Sequence, residues 1–247
     1  MHVLLTNDDG IDAPGIAALC ESLAMACRDP MLEDLEIAVS TIAPDRERSE
    51  CGHQATLGRP LRIITGANRR WALDGSPVDC VRVGISQFIS PVDLVLSGVN
   101  NGGNLGVDLL TSGTFAAAKE AALRGVPAVA FSQIRHPDFP VAWDHVPAWI
   151  SPLIARAILD VAAAKPFLRN VNLPLESAVG DRAQPRIIDC DVDPTPFQLD
   201  WAEMGEAECQ FSTSYHCRPR VPGGDVQSCF AGSISLTHFD LDRLVGG

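Results

Sequence analysis

The N-terminal stretch MHVLLTNDDGIDAPGI, residues 1–16, sets an apolar strand directly before two adjacent carboxylates, Asp8 and Asp9. Asp and Asn are poor strand formers and neighbouring anions repel, so the strand ends by about Thr6. Beyond it the chain forms either a polar turn closed by Gly10 or an oxygen site that takes up a cation. Both readings put the pair at the carboxyl end of the first strand, where open parallel sheets bind ligands.

Outward from this stretch, the pattern alternates strand and helix. A helix over about 15–26 and a strand over about 35–43 make a first βαβ beginning. After the loop 44–49, two short strands at 59–65 and 70–73 suggest a hairpin. Ser76 then caps a helix reaching to about Ile89, with Pro77 at its first position and Asp79 in its first turn. A second βαβ unit comes next: a buried strand at 93–97, a glycine- and asparagine-rich loop, a helix at 113–124 ended by Gly125, and a strand at 128–132. A helix within 142–164 and a strand at 168–172 complete the series. The expected fold is α/β, a Rossmann-like, doubly wound and mostly parallel sheet over residues 1–178. Residues 179–247 form a C-terminal β-rich extension, with short pieces at 186–190 and 232–237.

The composition is that of a globular protein, 46% hydrophobic and 20% charged. Nineteen Lys and Arg against 31 Asp and Glu give a net charge of −12, which repels nucleic-acid polymers and anionic membranes at long range. The longest apolar stretch, 148–164, is broken by Pro152, Arg156 and Asp160 and reads as an amphipathic helix. With no basic-then-apolar leader at the N-terminus, the sequence predicts a cytoplasmic protein. Eight scattered cysteines without a Cys-x-x-Cys pair read as mostly buried thiols.

The residues behind the strands share one chemistry. The first strand leads into Asn7, Asp8 and Asp9, the second into APDRERS (43–49), and the 93–97 strand into GVNNGGNLG (98–106). These offer hard oxygen ligands and glycines, not the sulfur or imidazole cluster that zinc favours. Ser49 and Asn100 can supply neutral oxygens beside the two carboxylates to Mg²⁺ or Mn²⁺. Ser112, Gly113 and Thr114 open a helix whose free amides suit an anion, although Ser112 also reads as a plain N-cap. There is no Walker A sequence, full Gly-x-Gly-x-x-Gly fingerprint, Gly-x-Ser-x-Gly elbow or His-Glu-x-x-His. DCDVDPTPFQLD (189–200) imitates a calcium loop, but Pro194 stands where glycine is needed, so it reads as a surface turn.

Taken together, LLTNDDGIDAPGI, APDRERS, LDGSPVDCV, LVLSGVNNGGNLGVDLLTSGTFAAAKEA and GVPAVAFS, in order over roughly 1–132, resemble the SurE family of metal-dependent nucleoside-monophosphate phosphatases, with a fainter echo in NVNLP (170–174). The resemblance implies one divalent ion per subunit, Mg²⁺ or Mn²⁺, held by Asp8, Asp9, Ser49 and Asn100. It also implies a phosphate pocket lined by Asn104, Ser112, Gly113 and Thr114. The implied activity is a 5′-nucleotidase, extending in the family to 3′-nucleotides and short polyphosphate. Ser76 and Thr111 replace a threonine and a tyrosine common in the family. The family's Asp-Pro-Arg-Gly stretch with paired tyrosines and tryptophan is missing from the C-terminal half.

On this reading a metal-activated water attacks phosphorus. Asp8 and Asp9 are the catalytic candidates, with Asp9 favoured as proton acceptor, and His53, His136 and His216 are unranked candidates for the proton donor. Two rivals stand beside it: a sugar-nucleotide-dependent transferase and a non-catalytic nucleotide-binding protein. SurE-like proteins exchange C-terminal segments, and the apolar patches CQFSTSY (209–215) and SCFAGSISL (228–236) need a surface to bury against. The extension is therefore expected to be an oligomerisation arm, giving a homodimer or dimer of dimers.

Overall fold

A computed structural model describes residues 1–49, 51–89, 91–161, 166–180, 184–202, 208–212 and 214–241. Its central sheet has nine strands. In chain order these are β1 (His2–Thr6), β2 (Ala38–Pro44), β3 (Ile63–Thr65), β4 (Arg70–Leu73), β5 (Leu94–Asn101), β6 (Ala128–Gln133), β7 (Leu168–Leu173), β8 (Ile187–Asp189) and β11 (Ile234–Phe239). Two further short strands, β9 (Trp201–Ala202) and β10 (Gln210–Phe211), pair apart from it. The spatial order is β3-β4-β2-β1-β5-β6-β7-β11-β8. Strands β4, β2, β1, β5, β6 and β7 run parallel, while β3 and β11 pair antiparallel to β4 and β7. The chain runs outward from β1 to one side through β2, then crosses to the other side at β5, which makes the β1/β5 border the topological switch point.

The sequence explains the two layers of helix. In β1, Val3 and Leu5 face one hydrophobic cluster and Leu4 the other, as the two-residue period of a strand requires. The Val3 face is covered by α1 (Pro14–Ala26) and α4 (Val146–Val161), through Leu19, Leu23, Ile150, Ile154 and Ile158. The Leu4 face is covered by α2 (Pro77–Val83) and α3 (Gly113–Leu123). Burial of alanines at 116, 117, 118, 121 and 122 lets α3 lie close on the sheet. Ser76 and Asp79 form a reciprocal capping box at the start of α2. That helix continues to Phe88, close to the expected end, but widens into a π turn over Gly84–Phe88. A Cβ at Gly84 would lie 2.6 Å from Leu4 Cδ2, so glycine lets the turn sit on β1 without moving that side chain.

The boundary expected near residue 178 is crossed by the central sheet, because β8 and β11 both lie beyond it. The SCFAGSISL patch folds back on its own sheet: Cys229 and Ile234 are buried, and β11 pairs with β7. A short helix that the sequence pattern does not mark, Asp225–Phe230, precedes β11. The segment 189–200 is more than a surface turn. Asp193 is fully buried and accepts from the amides of Thr195 and Val221, while Asp225 accepts from those of Gly106, Asp193 and Val226. Nor are the cysteines mostly buried. Only Cys80 and Cys229 are, while Cys20, Cys209 and Cys217 are exposed, and all eight thiols are free. No described helix is long and apolar enough to cross a membrane.

One buried carboxylate ties α2 to α3. Glu120 accepts from Arg82 at 2.7 Å, Arg124 at 2.6 Å and His53 at 3.0 Å. Burial opposes its ionisation, but these donors outweigh it and bring the carboxyl from its ordinary 4.5 down to about 2. A carboxyl depressed on folding stabilises the native state above its unfolded pKa and loses that contribution as pH falls through its folded one. Because both arginines are partly exposed, we expect Glu120→Gln to cost about 2 kcal/mol at pH 7. In urea denaturation, the gap to the parent chain should close between pH 4.5 and about 2. A gap independent of pH would remove the ion pairs from the account.

Candidate functional site

The opening stretch builds its turn from its own polar residues. Asn7 Nδ2 donates to the Gly10 carbonyl at 2.8 Å, and the Gly10 amide donates to Asn7 Oδ1 at 3.2 Å. Gly10 has φ +106, and a Cβ there would lie 3.1 Å from the Arg46 carbonyl carbon. The turn fixes Asp8 and Asp9 at the end of β1, and the Asp8 carbonyl accepts from the Arg48 amide at 2.7 Å, fixing the 44–49 loop beside them.

The neighbouring strand is bent to meet the pair. Between Ser97 and Asn100 the register of β5 against β6 shifts, a bulge of the kind that re-aims side chains at strand ends. Gly98 sits in the bulge at φ +133, with the Phe131 carbonyl 2.2 Å from where its Cβ would be. Asn101 then donates its amide to Asp9 Oδ2 at 3.2 Å. Asn100 Nδ2 donates to the Gly102 carbonyl at 2.7 Å, which leaves its Oδ1 to the cleft.

These elements surround a cleft of about 650 Å³ bordered by Asp8, Asp9, Ser49, Asn100, Asn104 and Ser112. All four residues expected to hold a metal therefore meet in one place. Of the four expected to bind phosphate, Asn104 and Ser112 line the cleft, and Gly113 and Thr114 do not. Thr114 is fully buried and gives its hydroxyl to Asp8 Oδ1. Its side chain positions the carboxylate rather than facing an anion. Gly113 serves the same contact, since a Cβ there would lie 2.8 Å from Asp8 Oδ2. Ser112 caps α3 by accepting from the Phe115 amide at 3.1 Å.

The cleft is short of positive charge. Burial, with the charge of Asp9 added, pushes Asp8 up to about 7 against the Thr114 hydrogen bond. Burial also raises Asp9, helped by Glu47 and opposed by the Asn101 amide and Arg135. Three carboxylates, including Glu47, thus border the cleft with one guanidinium, Arg135. Ser49 donates to Glu47 Oε1 at 2.8 Å. Two crowded carboxylates with a neutral hydroxyl and an amide oxygen make a donor set of hard oxygens, which fits Mg²⁺ or Mn²⁺. Among the described residues no group of three or more His, Cys, Asp or Glu is placed to hold a metal ion, so the donor set here rests on two carboxylates and neutral oxygens.

Three histidines that the sequence left unranked separate here. His53 is held by Glu120 outside the cleft lining, His216 lines the cleft, and His136 lies behind it with the two rings 4.5 Å apart. Glu47, Asn101, Arg135 and Tyr215 were not read from sequence as cleft residues. Arg135 follows β6 and was open to the same strand-end rule that found the others. Tyr215 carries no local signal, being brought in from the distant extension, where its hydroxyl donates to the Gly103 carbonyl at 3.1 Å. Beside it the buried Arg218 pairs with Asp108 at 2.7 Å and lies over the Tyr215 ring.

The loop that carries Asn104 is held by side chains of two strands. Its amide donates to Asn172 Oδ1 at 2.7 Å, its carbonyl accepts from both Asn170 and Asn172 at 2.9 Å, and its own side chain donates to Ser132 at 2.8 Å. Asn170 and Asn172, two apart on β7, share one face of the sheet.

The chain is similar to known proteins over most of its length. The family model described as Survival protein SurE matches residues 3–194. The chain is 39% identical to the 5'-nucleotidase SurE of Pelobacter propionicus, covering 98% of this chain and 94% of that protein. It is 35% identical to the 5'-nucleotidase SurE of Paramagnetospirillum magneticum, covering 98% and 90%. Its fold superposes on the crystal structure of the SurE protein from Aquifex aeolicus with a TM-score of 0.73, at 27% identity over 98% of this chain and 94% of that one.

The asparagine cage makes a prediction that needs no assay of activity. Asn172→Ala strips one partner from the Asn104 amide and one from its carbonyl, and should cost about 2 kcal/mol in urea denaturation. Hydrogen exchange at residues 102–105 should quicken well beyond that of the core strands. Exchange as slow as in the parent chain would mean that the loop is held by other contacts.

Proposed function

The chain belongs to the SurE family, and from that premise we propose that it is a 5′-nucleotidase that hydrolyses nucleoside monophosphates to nucleoside and phosphate with one bound divalent cation. The observation that carries the reading is the pair of crowded, under-neutralised carboxylates at the switch point, facing a cleft with neutral oxygens from Ser49 and Asn100. Asp8, Asp9, Ser49 and Asn100 would hold Mg²⁺ or Mn²⁺. Such an ion, when bound, supplies the charge that draws in a phosphoryl group and acidifies water.

The chain's own residues divide the remaining work. Thr114 orients Asp8, and the Asn101 amide orients Asp9. Asp9, less buried than Asp8, takes the proton from the attacking water as the new P–O bond forms. Asn104 and Ser112, the N-cap of α3, receive the phosphate oxygens, with the helix dipole favouring the anion. As the ester P–O bond breaks, His216 gives a proton to the leaving alkoxide. Arg135 adds a local positive charge, which matters in a chain of net charge −12 that repels anions at a distance.

Phosphate release from a panel of nucleoside 5′-monophosphates is the direct test, and 3′-nucleotides, short polyphosphate and sugar nucleotides in the same panel measure substrate breadth. Chelation should abolish release, and Mg²⁺ or Mn²⁺ should restore it. Asp9→Asn should lose at least about a hundredfold in kcat while keeping its thermal unfolding. Full activity after chelation, or a near-normal kcat in the variant, would overturn the mechanism.

We also propose that the chain forms a homodimer or dimer of dimers. Leu199, Trp201 and Phe211, on and beside the β9–β10 pair, are 65%, 58% and 43% exposed, the kind of apolar surface that a second copy would cover. Light scattering should give at least a dimer mass, and Trp201→Asp with Phe211→Asp should lower it. A parent chain that scatters as a monomer would sink this.

A further inference from the structure

The cleft opens beside a smaller chamber of about 240 Å³, whose walls include Ile134, Phe139, Val141, Ala142 and Leu175, and Arg135 borders both spaces. The border is aromatic as well. His216 in the cleft packs its ring 4.5 Å from that of His136, and His136 packs 5.2 Å from Phe139 in the chamber wall. A run of rings thus leads from the cleft into the chamber. Phe139 is 55% exposed. One exposed phenylalanine means little by itself, but here it lines a concave, mostly apolar space next to the expected reaction centre. Glu176 and Ser177 bring polar groups to the same lining.

We propose that this chamber is the nucleobase subsite, an inference that rests on the nucleotidase reading of the cleft. With the phosphoryl group at Asn104 and Ser112, the ribose passes Arg135 and the base lies against Phe139 and His136. A flat heterocycle covers apolar surface there and stacks on ring faces, an interaction indifferent to the pattern of donors and acceptors on the base edge. The subsite therefore accepts purines and pyrimidines alike and favours purines, whose stacking face is larger.

The test compares kcat/KM for adenosine 5′-monophosphate with that for ribose 5-phosphate, which carries no base. In Phe139→Ala the ratio of the two should fall about tenfold, from the loss of base stacking. Phe139→Trp, which restores a stacking face, should keep the parent ratio. An unchanged ratio in Phe139→Ala would overturn the subsite while leaving the nucleotidase reading intact. If neither compound is hydrolysed by the parent chain, the nucleotidase reading fails, and calorimetric titration with adenosine still reads the chamber. Binding weakened by Phe139→Ala would support the subsite, and binding that is absent from the parent chain or equal in the variant would overturn it.

Discussion

Two carboxylates held side by side at the end of the central strand are the constraint around which the rest of the molecule is arranged. Left alone, Asp8 and Asp9 repel each other, and burial makes the ionised form of Asp8 costlier still. The fold answers with donors: the Thr114 hydroxyl for Asp8 and the Asn101 amide for Asp9. Each comes from a different element, helix α3 and strand β5. Holding the pair in place thereby fixes how these elements sit against β1.

Close backbone approach makes this arrangement possible, and glycine makes the approach possible. Gly98 and Gly113 each occupy a position where a Cβ would strike a carbonyl or a carboxylate oxygen. Gly15, in the first turn of α1, would set a Cβ 1.9 Å from the Val99 carbonyl oxygen, so that helix too is pressed against the bulge. The result is a set of loops that converge at the switch point with little room to relax. Such preorganised donors are worth more to an enzyme than flexible ones, because they need no rearrangement as charge develops.

The C-terminal part of the chain completes what the first part begins. Asp225 accepts from the Gly106 amide, Arg218 donates to the Leu105 carbonyl at 3.3 Å, and Tyr215 donates to that of Gly103. Three residues more than a hundred positions downstream thus steady the glycine-rich loop that carries Asn104. The missing family motif in this region has therefore not left the cleft without a wall; Ser214, Tyr215 and His216 provide one.

Much of this was legible from sequence, because the responsible signals are local. The period of apolar residues marked the strands and helices, Ser76 and Ser112 marked helix starts, and the strand-end rule led from LLTNDDG to Ser49 and Asn100, while Asn104 came with the resemblance carried by the ordered motifs. Tertiary structure alone assigned Thr114 to Asp8 rather than to an anion, because a side chain's direction depends on what packs beside it. It alone separated His216 from His53, folded 228–236 back onto the sheet, and brought Tyr215 and Arg218 to the loop. Those contacts span tens of residues to more than a hundred and leave no periodic trace in the chain, since they are set by which surfaces meet once the core has formed.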